Sequence, residues 1–314
     1  MNRLYGGIEA GGTKFVCVVA TAAGEVVAER RFPTTQPDET IHQAGSFFAT
    51  HSRRAELAAI GIASFGPVDL DPRSPTYGYI TTTPKPHWGQ VDLRGRIMQA
   101  TNLPVAFDTD VSAAAFGERY WTAENHGLDP FVYMTVGTGI GAGVFANGAP
   151  IHGLVHTETG HVPLPHNREK DPFPGACPFH GDCLEGLASG PAMEKRWGRR
   201  AETLPNDHPG WDLEADYIAL ALLGLIYAYS PQRIVLGGGV PQHPGLHAAV
   251  RQKVQKYNNG YIQSAMILDK IDEYIVPPTL GNRSGGLGAI AMAIQLVEQT
   301  QQSAGTSREQ SKTS

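Results

Sequence analysis

Gly6-Gly7-Ile8-Glu9-Ala10-Gly11-Gly12-Thr13-Lys14 stands near the start of the chain, and Val136-Gly137-Thr138-Gly139-Ile140-Gly141-Ala142-Gly143 stands near its middle. Each carries an apolar strand into a glycine-rich turn and out along a second strand. Such a hairpin exposes backbone N–H groups where phosphate oxygens approach without interference from Cβ. Neither is a Walker A loop, because Gly-Lys-Ser/Thr is missing at the required spacing. The second is no dinucleotide fingerprint, since its glycines recur at every second position and lead into a strand. Tight hairpins need glycine in any case, so one such turn is weak evidence. Two at equivalent places are stronger.

Around the first turn the pattern predicts strands over 4–8, 14–20 and 25–32, a helix over 40–52 and a strand over 57–65. A Pro-rich loop through Pro86 precedes a helix near 91–100, a strand over 105–107 and a helix from 111. The plan restarts with strands over 131–136 and 140–146, the hairpin signal Asn147-Gly148 and a third strand from Ala149. Helices over 213–229 and 246–257 then alternate with strands at 233–236 and 274–276, and a helix over 286–297 follows. Two copies of one plan predict a duplicated α/β fold with mixed sheets; the alternative is one doubly wound domain with decorations. The natural geometry is two lobes around a cleft, each offering a hairpin to a polyphosphate. The expected division is an N-terminal lobe over 1–118 and a C-terminal lobe over 119–285. A helix over about 286–298 is expected to pack back on the first lobe, with a disordered tail over 299–314.

A chain of 314 residues favours two domains over one. Apolar residues at 41 % and charged residues at 18 % are ordinary for a soluble globular protein. A formal charge of -5 argues against a nucleic-acid binder, which shows a basic patch or stripe. The apolar run 218–229 is too short to span a bilayer, and 1–3 lead straight into strand sequence without a signal-peptide pattern. Three cysteines cannot complete a disulfide framework, so a reducing, cytoplasmic compartment is expected. Cys17 reads as an inert core residue.

Three further segments carry candidate chemistry. In Asp108-Thr109-Asp110-Val111-Ser112 a strand runs into an alanine-rich helix, and Asp110 is expected at the N-cap. It reads either as a cap or as a general base for an acceptor hydroxyl, and the two roles are compatible. Ile234-Val235-Leu236-Gly237-Gly238-Gly239-Val240 ends a strand in three glycines, where a nucleoside could pass close to the backbone. Finally, His156-Thr157-Glu158-Thr159-Gly160-His161 precedes Cys177-Pro178-Phe179-His180-Gly181-Asp182-Cys183-Leu184-Glu185. Cys-x2-His-x2-Cys with one upstream His supplies a closed tetrahedral set for structural zinc. The upstream ligand is open among His156, His161 and His166. A metal here would hold Glu158 and Glu185 in one small volume, as acceptors for sugar hydroxyls.

Together these residues resemble the ROK family of sugar kinases and repressors, and most closely its bacterial zinc-containing fructokinases, over nearly the whole chain. The resemblance implies a duplicated actin-like, ribonuclease-H-like ATPase fold. It implies Asp110 as catalytic base, Thr109, Glu158, His161 and Glu185 on the sugar, and His161, Cys177, His180 and Cys183 on zinc. It places Gly11, Gly12, Thr13, Lys14, Gly137, Thr138 and Gly139 on the phosphates of ATP. Pro231, Gly238, Gly281, Asn282, Arg283, Ser284 and Gly285 would lie near the adenosine, with Mg²⁺ bridging the phosphates and a homodimer as the assembly. Glu9 stands where most members have Asp, Thr109 where glucokinase-like members have Asn, and the zinc loop is not the cysteine-richer form. All three resemble the fructokinase branch, as do Ser64-Phe65-Gly66-Pro67-Val68-Asp69 and Thr82-Thr83-Pro84-Lys85-Pro86. The expected substrates are therefore ATP and fructose, with mannose, glucose or an N-acylated hexosamine as alternatives. The family's sugar-sensing regulators carry an N-terminal helix-turn-helix, for which a first strand at Leu4 leaves no room.

Overall fold

The computed structural model describes residues 3–52 and 57–310, which fall into two compact units. The first comprises the described residues up to His126, the segment His152–His156, and those from Arg283 onward. The second comprises Gly127–Ile151 and Thr157–Asn282.

In the first unit β1 (Leu4–Ala10), β2 (Lys14–Thr21) and β3 (Val26–Pro33) form an antiparallel meander. Helix α1 (Pro37–Ser52) leads to β4 (Leu57–Ser64), which lies parallel to β1. The short paired strands β5 (Tyr79–Ile80) and β6 (Val91–Asp92) precede α2 (Leu93–Thr101), β7 (Val105–Thr109) and α3 (Asp110–Trp121). The sheet order is β3-β2-β1-β4-β7. Its central strands are covered on both faces, which is why they read as unbroken apolar runs and not as alternating ones. Phe15, Phe48, Trp88 and Ile97 fill one side, while Tyr5, Ala20, Ala59, Ile290 and Ile294 fill the other.

The second unit repeats this plan. β8 (Phe131–Val136), β9 (Ile140–Ala146) and β10 (Ala149–Pro150) form the meander. Helices α4 (Leu184–Ala188), α5 (Gly190–Trp197) and α6 (Gly210–Tyr229) then lead to β11 (Arg233–Gly237). Helices α7 (Leu246–Asn258), α8 (Ala265–Leu268) and α9 (Ile271–Tyr274) precede β12 (Ile275–Val276). The order β10-β9-β8-β11-β12 matches that of the first sheet strand for strand, with β11 parallel to β8. The internal repeat expected from the two glycine turns is thus a repeat of sheet topology.

Helix α10 (Ser284–Gln310) belongs to the first unit, where it packs on α3 and the sheet. Its approach is close: a Cβ on Gly61 of β4 would overlap the Ala289 carbonyl oxygen. Gly61→Ala must therefore push helix and sheet apart, and overpacking of this kind costs about 3 kcal/mol. A thermal melt reads this as a clear fall in Tm; an unchanged Tm would show that α10 shifts at no cost. The helix also runs past 298, where the tail was expected to become disordered. Gln, Glu and Arg are good helix formers despite their polarity. The hydroxyls of Thr300 and Ser303 donate to the carbonyls of Leu296 and Gln299, at 2.8 and 2.9 Å. The last part of the expected tail, 311–314, lies outside the described residues.

Candidate active site

The β1–β2 turn is held from beside it. The Gly11 N–H donates to the Lys14 carbonyl at 3.0 Å, and Thr34 grips the turn from the end of β3. Its hydroxyl donates to the Gly11 carbonyl at 2.6 Å and its N–H to the Thr13 carbonyl at 2.9 Å. Gly12 faces open space, with no atom within 4 Å of where a Cβ would stand. One position before the turn, burial raises the pKa of Glu9, against the attraction of Lys14 and Arg31.

On the same sheet β7 delivers the acid–base candidate. β7 pairs with β4 through Asp108 and Thr109, so the strand runs two residues beyond the expected end. Thr109, not Asp110, is consequently the N-cap: its Oγ1 accepts the Ser112 N–H at 3.1 Å. Asp110 is the first helical residue, half-buried, with Oδ1 accepting the Val111 N–H at 2.9 Å. The cap role expected of Asp110 passes to Thr109 because the backbone enters the helix one residue earlier than the sequence pattern indicated, at Asp110 and not at Val111. Beside it, the buried Asp108 meets the His152 imidazole at 3.1 Å, and this hydrogen bond raises the His152 pKa.

In the second unit four side chains of two ligand types converge. One atom each from His161, Cys177, His180 and Cys183 lies within 4.8 Å of every other. His161 Nδ1 stands 3.8 Å from Cys177 Sγ and 3.6 Å from Cys183 Sγ, and His180 Nδ1 is 3.7 Å from Cys177 Sγ. A tetrahedron with zinc–sulfur and zinc–nitrogen bonds of ordinary length has S···N edges of about 3.5 Å. The donor set fits zinc in kind, number and spacing. The choice left open by sequence falls on His161, because the two other histidines are engaged. His156 Nε2 accepts the Val68 N–H at 3.1 Å, within the first unit. His166 bonds the Asp182 carboxylate at 3.0 Å and the Asp171 carbonyl at 2.9 Å. The other ring nitrogen of His161 is turned to Glu158, with Nε2 to Oε2 at 4.0 Å. One edge of the ring thus faces the two cysteines and the other lies beside a carboxylate.

The β8–β9 turn lies next to this cluster. The Gly137 N–H bonds the Gly139 carbonyl at 2.9 Å, and Glu185 Oε2 accepts the Ile140 N–H at 2.9 Å. A cavity of about 630 Å³ opens beyond it, lined by Gly137, Thr138, Gly190, Gly239, Trp211 and His243, among others. Gly238 turns the chain there at φ +98°, with no room for a side chain against the Val136 carbonyl. His243 stacks on Trp211 with ring centroids 3.7 Å apart, and burial lowers its pKa. The cavity therefore joins one glycine turn, the triple-glycine strand end and a flat aromatic pair.

The ROK family model matches residues 5–296. The chain belongs to the ROK family. A fructokinase of Streptococcus mutans is 45 % identical over 296 residues, covering 93 % of this chain and 98 % of that protein. A fructokinase of Pediococcus pentosaceus is 44 % identical over 92 % of this chain and 97 % of its own. Among solved structures, a ROK hexokinase from Thermus thermophilus superposes with a TM-score of 0.76 at 26 % identity, over 94 % and 99 % of the two chains. The duplicated α/β architecture is the actin-like ATPase fold of ROK sugar kinases. Among the described residues no helix is long and apolar enough to cross a membrane.

Not every residue expected near the nucleotide is brought to the cavity. Asn282 reaches it indirectly, its Oδ1 accepting from Gln242 Nε2 at 3.4 Å. Ser284 does not offer its hydroxyl, which is buried and donates to Glu118 Oε1 at 2.8 Å at the start of α10. Gly285 packs against Glu9, whose Cδ would lie 3.0 Å from a Cβ there. Pro231 precedes β11 while Gly238 follows it, and a strand of that length separates them by about 20 Å. The Pro231 carbonyl instead accepts the Tyr274 hydroxyl at 2.9 Å.

Two features had no sequence signal. The Asp108–His152 pair joins residues 44 positions apart. Asp171, in the middle of the loop between His161 and Cys177, accepts the Tyr217 hydroxyl at 2.6 Å and an Arg196 N–H at 3.2 Å. It anchors that loop to α5 and α6 from inside.

Proposed function

We propose that the chain is an ATP-dependent fructokinase, converting ATP and D-fructose to ADP and fructose 6-phosphate. The observation that carries this reading is the near-half identity, over almost the full length of both chains, with relatives named fructokinases. The site chemistry supports it. Asp110, at the first position of α3, would accept the proton of the O6 hydroxyl as that oxygen attacks the γ-phosphorus of ATP. Thr109, Glu158, His161 and Glu185 would bind the sugar, the two carboxylates accepting hydrogen bonds from its hydroxyls. Gly11, Gly12, Thr13 and Lys14 on one hairpin, and Gly137, Thr138 and Gly139 on the other, would lie along the phosphates of the magnesium complex, the N–H groups of Gly11 and Gly137 being spent on closing the turns. The cavity with Gly239, Trp211 and His243, next to Gly238, has the size and flatness for a nucleoside.

Zinc held by His161, Cys177, His180 and Cys183 would fill all four of its positions with protein atoms, leaving none for substrate. It would supply rigidity to the loop and not Lewis-acid chemistry. Phosphoryl transfer needs little more than positioning and charge stabilisation, which backbone N–H groups at a glycine-rich turn are suited to supply.

Initial rates with a panel of hexoses, coupled to ADP production, test the substrate. Fructose is expected to give the highest kcat/KM, by at least about tenfold over glucose, mannose and N-acetylmannosamine. A glucose or hexosamine preference of the same size would replace fructose within the same mechanism. No ADP formed with any sugar would refute the kinase.

A further inference from the structure

The metal ligands and the second phosphate turn meet at Ile140, the first residue of β9. Glu185 lies two positions past Cys183, in α4, and its Oε2 accepts the Ile140 N–H at 2.9 Å. Gly160, one position before His161, stands so close to the Ile140 carbonyl that a Cβ would overlap its oxygen. One backbone residue is thus bonded at its N–H and closely packed at its carbonyl by neighbours of the Cys/His cluster, one from each side. That residue closes the turn of Gly137, Thr138 and Gly139. The hold continues into α5: the Ser189 N–H bonds the Glu185 carbonyl at 3.1 Å, and the Gly190 N–H bonds the Gly137 carbonyl at 2.8 Å.

We propose that Glu185 is a positioning residue for the nucleotide, through which the metal site fixes the β8–β9 turn in the shape that receives phosphate. This rests on the kinase reading above and adds to Glu185 a task distinct from meeting sugar hydroxyls. A turn with glycine at two of three positions has wide conformational freedom when unpinned. Affinity then falls by the fraction of time spent in the binding shape. A carboxylate accepting an N–H makes a bond roughly twice as strong as a neutral one, so it is an effective pin. The metal holds the carboxylate in place by fixing Cys183 at the start of α4.

The test is a calorimetric titration of Mg·ADP, without sugar, into four samples: the zinc-loaded wild type, Glu185→Ala, Glu185→Gln, and wild type stripped of zinc with the chelator dialysed away. Glu185→Ala should bind Mg·ADP roughly tenfold more weakly. Glu185→Gln keeps an oxygen for the Ile140 N–H and should stay within about threefold of wild type. The zinc-stripped protein should fall with Glu185→Ala. Wild-type Mg·ADP affinity in Glu185→Ala overturns the proposal, because a residue serving only the sugar would give that result. If Glu185→Ala does not yield folded protein, undiminished affinity on stripping zinc overturns it equally. A zinc-loaded wild type that binds no Mg·ADP at all sinks the kinase reading, and this inference with it.

Discussion

Replacing Asp110 with Asn is expected to lower turnover by at least ~10²-fold while fructose still binds, because general-base assistance is typically worth about 10²–10⁴-fold. The substitution suits the site. Asn has the same shape as Asp, and its Oδ1 remains an acceptor for the Val111 N–H that Asp110 now satisfies. The helix start does not depend on the charge, since Thr109 is the N-cap. What Asn lacks is the ability to take a proton from O6. Turnover by coupled assay and fructose affinity by calorimetry separate the two. Near-wild-type turnover would show that another group is the base.

Loss of the metal is expected to have the second large effect. Cys177 and Cys183 are buried, and burial raises the Cys183 pKa, a preference that coordination to a dication reverses. Cys183→Ser should abolish zinc retention, measurable as metal content after dialysis. It should lower Tm by about 5–10 °C, at 2–4 °C for each kcal/mol lost. Structural zinc in small domains contributes about 10–16 kcal/mol. The expected loss here is smaller, because Asp171 anchors the middle of the loop through Arg196 and Tyr217 whether or not metal is bound. Turnover should fall by at least ~10-fold, since Glu158 and Glu185 sit beside the ligands. A zinc-free sample with wild-type Tm and turnover would show that the four residues hold nothing of consequence.

The repeat was legible because its signal is local: Gly11-Gly12 and Gly137-Thr138-Gly139 are hairpin turns wherever they occur, and the apolar runs beside them fix the strands. The Cys/His cluster was legible in type and spacing, but its first histidine was given by the resemblance alone. His156, His161 and His166 lie within one short stretch, and only their partners distinguish them: a backbone N–H for the first, Asp182 and the Asp171 carbonyl for the last. Asp110 was found at the right junction but given the wrong structural task. In Asp108-Thr109-Asp110 two residues suit a cap, and the pairing of β7 with β4 that decides between them is a long-range fact. Asp171 was invisible for the same reason, its partners lying 25 and 46 positions away on two helices. Pro231 was placed with the nucleotide by resemblance alone, and the direction of β11 separates it from Gly238.

The last helix has a consequence for how the protein is made. The face of the first sheet that carries Tyr5, Ala20 and Ala59 is covered by Ile290, Ala293 and Ile294. A ribosome adding roughly 5–20 residues per second therefore leaves that greasy surface bare for ~10–60 s after it has emerged. The region synthesised earliest is the one finished latest.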